Sequence, residues 1–234
     1  MEPFHIHRIP AWPLVRGFTL IELMVVLAII VIITSVVFTN QSTFNKTLIL
    51  SNTAYDIALT LRSTQTYGLS SRAAGTATNV GYGMHLSNTV HNSFIVFADT
   101  APDGSPGTLF CSAASSSGAP DCKPGDGIYT SGGASPDALS AVQTYNLNNG
   151  IQVSDFCVYP AVGSGSCAVA GGLTALDIVF TRPNPNAIIR GSNGGPYTAY
   201  SSACITVSSQ SNTKRYIYIA ASGQIIANAS SCSP

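Results

Sequence analysis

The sequence predicts an α+β fold in which one long N-terminal helix packs on an antiparallel β-sheet. Three observations carry this expectation. An unbroken apolar run extends from Phe18 to Phe38, no proline interrupts residues 18–70, and short β-branched and aromatic runs separated by turn residues follow residue 75. Composition narrows the class further. Only 9% of the 234 residues are charged and the formal net charge is +0, against roughly 25% charged residues in an ordinary soluble domain. Ser, Thr, Asn, Ala and Gly occupy the missing positions. Ten basic residues against ten acidic ones leave no basic field to hold nucleic acid. Hydrophobic residues at 45% argue against disorder. Low charge and six cysteines point to an oxidising space outside the cytoplasm, a poor setting for a cytosolic enzyme.

The first element is the run FTLIELMVVLAIIVIITSVVF, whose polar members are Thr19, Glu22, Thr34 and Ser35. As a helix it is roughly 30 Å long, enough for the hydrocarbon core of a bilayer. Arg8 and Arg16 precede it, and Lys46 is the first basic residue after it. That asymmetry predicts a cytoplasmic N-terminus and a globular part on the far side of the membrane. The run is too long for a cleaved secretory signal, and no A-x-A-like site ends it. Glu22 is the anomaly, because a carboxylate deep in a membrane helix costs up to ~3 kcal/mol.

Arg16-Gly17-Phe18-Thr19-Leu20-Ile21-Glu22, followed by Leu23-Met24-Val25-Val26-Leu27-Ala28-Ile29-Ile30, resembles the class III signal of type IV pilins and type II secretion pseudopilins. The resemblance covers about twenty residues. It implies cleavage by a membrane prepilin peptidase between Gly17 and Phe18, and N-methylation of Phe18. It also implies that Glu22, the fifth residue of the mature chain, serves in assembly. The physics agrees: the new Phe18 amine is cationic, and pairing it with a neighbour's Glu22 carboxylate offsets the cost of burying either charge alone. The segments then read as a leader (1–17), a transmembrane and assembly half of the helix (18–39), an amphipathic half (40–74) and an extracellular β-rich domain (75–234). Residues 18–39 are expected to meet membrane lipid before assembly and other pilin subunits afterwards.

The helical pattern continues past Phe38. Leu50, Ala54, Ile57 and Leu61 follow helical spacing, with Phe44, Leu48, Tyr55 and Leu59 broadening the stripe. Gly68 is the first weak point, and a coiled coil lacks the charged flanking positions it needs. Strands are expected at 79–86, 93–98, 150–159, 175–181, 203–208, 214–220 and 223–227, the last two as a hairpin across Ala221-Ser222-Gly223. This C-terminal part is similar to the final strands of GspH/FimT-like minor pseudopilins. Residues 99–141, 160–174 and 182–202 read as long loops rich in Gly, Ser, Pro and Ala.

None of the cysteines, Cys111, Cys122, Cys157, Cys167, Cys204 and Cys232, sits in a CxxC pair, which argues against zinc and thioredoxin-like chemistry. Six cysteines allow 15 connectivities. Pairing of sequence neighbours, 111–122, 157–167 and 204–232, is the expectation, and the last resembles the C-terminal disulfide loop of type IV pilins. No catalytic constellation, cofactor or metal site is read. Gly163-Ser-Gly-Ser166 lacks nucleophile-elbow order, His85 and His91 read as surface histidines, and the aspartates at 99–103 and 121–126 read as solvated turn residues without the calcium-loop pattern. Some FimT-like pilins bind DNA through a Gly-Arg-x-Arg type motif, but here Gly223-Gln224-Ile225-Ile226 has no arginine. The expected function is therefore a structural, minor subunit of a pilus or pseudopilus. The alternatives are a pilus-displayed binding module (an adhesin or DNA receptor) and an anchored extracellular domain that never polymerises.

Overall fold

The computed structural model describes residues 17–70, 72–74, 80–100, 125–131, 137, 143–229 and 231–232, with the side chains of 39–44 left aside. The first helix, α1 (Leu20–Leu69), is 50 residues long, as a proline-free segment of good helix formers allows. The chain divides into two compact units, Met1–Phe44 and Asn45–Pro234. In the first, the side chains of Leu20–Phe38 are all exposed. The second unit holds the core.

Eleven strands follow among the described residues: β1 (Gly81–Ser87), β2 (Val90–Asp99), β3 (Gln143–Asn146), β4 (Gln152–Tyr159), β5 (Ser166–Cys167), β6 (Ala175–Phe180), β7 (Ala187–Ser192), β8 (Thr198–Tyr200), β9 (Ser202–Ser208), β10 (Lys214–Ala220) and β11 (Ile225–Ala229). A one-turn helix, α2 (Ala168–Gly171), lies between β5 and β6. The strands form two antiparallel sheets rather than one. The larger has the order β3-β2-β1-β6-β7-β8 and the smaller β11-β10-β9-β4-β5. The expected hairpin is β10–β11, with Gly223 at φ 84° in its turn.

Leu50, Ala54, Ile57 and Leu61 of α1 are buried in a core shared by both sheets, with Met84, Leu86, Phe156, Ile178, Phe180, Ile205 and Ile217 among their partners. The helical spacing of these four residues is the reason: they share one face. The broader stripe is not buried. Leu48, Tyr55 and Leu59 are 46%, 56% and 65% exposed, because the sheets cover one face of α1 only; Phe44 lies outside the described side chains. Gly68 is a point of close approach, since a Cβ there would meet the Phe180 carbonyl and Cβ.

The two shorter expected loops contain structure. Residues 160–174 hold β5 and α2, and 182–202 hold β7 and β8. Ala187-Ile-Ile-Arg-Gly-Ser192 carries only a short apolar core between turn residues, and its pairing with β6 from Ala175↔Ser192 to Phe180↔Ala187 makes it a strand. Of 99–141, only 99–100, 125–131 and 137 are described.

Candidate processing and assembly site

At the start of α1, Thr19 occupies the N-cap position and Glu22 lies three residues on. The Glu22 N–H donates to Thr19 Oγ1 (3.3 Å) and the Leu23 N–H to the Thr19 carbonyl (3.2 Å). One of the orphan donors of the first turn is thereby satisfied. Thr-x-x-Glu is the spacing of a capping box, so this cap is legible in the sequence. Glu22 is acidic at a helix N-terminus, where the helix dipole favours negative charge. Gly17 precedes the helix, and a Cβ added there would meet nothing within 4 Å. The fold itself places no demand for glycine at this position. Phe18 is 80% exposed. Gly17, Phe18 and Glu22 thus stand together on an accessible helix start, and Leu20–Phe38 continues as a 19-residue helix apolar enough to cross a bilayer.

The family described as the prokaryotic N-terminal methylation motif matches residues 13–38. The N-terminal segment is similar to that motif over these residues. The match ends at Phe38, where the exposed apolar run also ends. No curated protein and no solved structure matches the chain. The motif implies processing by prepilin peptidase and assembly with other pilins, and the apolar helix fits a membrane anchor.

Four of the six cysteines lie among the described residues, and they form two bridges, Cys157–Cys167 and Cys204–Cys232. Cys157 on β4 stands directly opposite Cys167 on β5, with Cα atoms 3.9 Å apart. Cys157 is also in register with Cys204 on β9, so both bridges start from one row across the smaller sheet. Cys111 and Cys122 lie outside the described residues. Asp155, Cys157 and Cys167 gather three ligand atoms within 4.8 Å, but both sulfurs belong to a bridge. Asp155 instead accepts the Val169 N–H (3.1 Å) at the start of α2.

Two further expectations are corrected. His85 is not a surface histidine: its side chain is 15% exposed and its Nδ1 lies 2.6 Å from Oδ1 of the fully buried Asp177. Register explains it, because β1 and β6 pair His85 with Asp177 across 92 residues of sequence. Next along the row, β7 brings Arg190 opposite Asp177. Among the described residues, Asp177 Oδ2 and Arg190 Nε are buried without hydrogen-bond partners. Tyr129 packs its ring on His85 (4.8 Å between centroids) and Phe97 (5.2 Å). Tyr197 beside Asp177 has its phenol pKa raised, first by burial and then by that carboxylate. His91 has Nδ1 3.1 Å from the Val153 carbonyl.

The aspartates of the first long loop are likewise not all solvated. Asp99 and Asp137 are 3% and 2% exposed. Asp99 accepts the N–H groups of Asp126 (3.1 Å) and Gly127 (2.8 Å), and Asp137 accepts those of Thr100 and Thr130 (both 2.8 Å). These carboxylates fasten the segment 125–131 to the end of β2. Burial, then the charges of Asp137 and Asp126, push the Asp99 carboxyl well above the usual range. Asp103 and Asp121 lie outside the described residues.

Proposed function

We propose that the chain is the precursor of a minor structural subunit of a type IV pilus or type II secretion pseudopilus. One observation carries this reading: the methylation motif at 13–38 runs directly into a fully exposed apolar helix, Leu20–Phe38. A surface of this kind is covered by lipid or by other helices, since apolar area left in water costs about 25 cal/mol per Å². Prepilin peptidase cuts between Gly17 and Phe18 and methylates the Phe18 amine. Residues 18–39 rest in membrane lipid with the globular domain outside, until the helix joins neighbouring helices in the filament. There the Phe18 amine of one subunit meets Glu22 of the next and sets their register. The similarity of the last strands to GspH/FimT-like subunits supports the minor role.

Nucleic acid has little to hold it. Arg215 donates through Nε to Ser51 Oγ (3.1 Å) and through Nη1 to the Lys214 carbonyl (3.0 Å), Arg190 Nε is buried, and the mature chain carries 8 basic against 9 acidic side chains.

Mass spectrometry of sheared surface filaments tests the proposal. The expected result is a chain beginning at N-methylated Phe18, present at low stoichiometry, with the Glu22→Ala variant inserted in the membrane but depleted from filaments. An uncut N-terminus, or absence of the wild-type chain from filaments, would overturn it.

A further inference from the structure

A cleft of about 280 Å³ lies in the second unit, between α1 and the edge of the larger sheet. One wall is helical: Thr53, Asp56 and Thr60. The other is Tyr145 on β3 with the turn residues Asn148 and Asn149. This wall is well fixed, because Tyr145 stacks on Phe94 (5.2 Å, interplanar 5°), the Leu147 N–H donates to the Asn92 carbonyl (2.7 Å) and the Ile151 N–H to that of Asn148 (3.1 Å).

The polar groups are arranged by type. Thr53 and Thr60 spend their hydroxyl protons on the carbonyls of Ile49 (2.9 Å) and Asp56 (2.8 Å), so towards the cleft they can only accept. The Asp56 carboxylate is exposed and has no partner among the described residues. The helix wall therefore asks for donors, while the asparagine amides opposite both donate and accept. No lysine, arginine or histidine lines the cleft among the described residues, so an anion finds no counter-charge. An ammonium group answers the acceptors but offers nothing to the amide donors. A polyhydroxylated ring answers both walls, and its C–H face suits the aromatic pair. The volume is near the lower end for small-molecule sites, the size of one sugar ring.

We propose that this cleft binds a neutral saccharide through Asp56, Asn148, Asn149 and the Tyr145 ring. The test uses the full chain in a non-glycosidic detergent, with saturation-transfer NMR against neutral methyl hexopyranosides, N-acetylhexosaminides and disaccharides. At least one sugar should bind with millimolar affinity. Asp56→Asn and Asn148→Ala, both at exposed positions, should weaken it about threefold to tenfold with an unchanged melting temperature, as expected for loss of one hydrogen bond. Failure of every sugar to bind, binding of cationic peptides in place of sugars, or wild-type affinity in both variants would overturn the proposal.

Discussion

Gly17 shows how far a single residue is constrained by something other than its own fold. Space around its Cα is open, so Gly17→Ala should leave helix content and membrane insertion unchanged. If the peptidase reads this position, the same variant accumulates uncut, which a mass shift of the intact chain detects; normal cleavage would remove Gly17 from the processing site. Asp99 is constrained from the opposite direction. Its carboxyl pKa is raised in the folded state by burial and by Asp137 and Asp126, so the folded chain binds this proton more tightly than the unfolded one. The group's contribution to stability is fully present below the unfolded value of about 3.9 and is lost as pH rises through the raised folded value. Asp99→Asn carries no charge and escapes that loss. Its melting temperature relative to wild type should climb from pH 4 to pH 8, and a flat difference across that range would count against a buried charge at this position.

At the scale of elements, α1 serves as core in its second half through Leu50, Ala54, Ile57, Ala58 and Leu61 at helical spacing and one point of close approach. Gly68→Ala would force a Cβ onto the backbone of β6 at Phe180. The helix propensity gained from alanine is ~1 kcal/mol, whereas overpacking of this kind costs ~1–3 kcal/mol, and here the obstacle is backbone, which yields least. Net destabilisation of about 1–2 kcal/mol is expected, read as a lower denaturation midpoint with an unchanged m-value. A stabilised variant would mean that α1 slides easily away from β6. The same element shows where reading by period reached its limit. Leu50 and Leu61 could be assigned to the core from spacing, yet Tyr55 and Leu59 follow nearly the same pattern and lie exposed, since periodicity identifies an apolar stripe without saying how wide its partner is.

For the whole molecule, the N-terminal methylation motif and the α+β class were legible because both are local. A methylation motif, an apolar run long enough for a bilayer, a proline-free helix and alternating strands each depend on neighbours within a few turns or residues. The Thr19 cap was equally local and readable from Thr-x-x-Glu. What no local pattern contained was the division into two sheets, or the strand character of 187–192. Nor could it contain the meeting of His85 with Asp177 and Arg190, or the fastening of residues 125–131 by Asp99 and Asp137. Each depends on strand register and on groups brought together from distant parts of the chain. The sequence by itself therefore determined the apolar N-terminal helix and its methylation motif. Only the tertiary structure decided which few charges are buried, because burial is a property of what covers a residue and not of the residue.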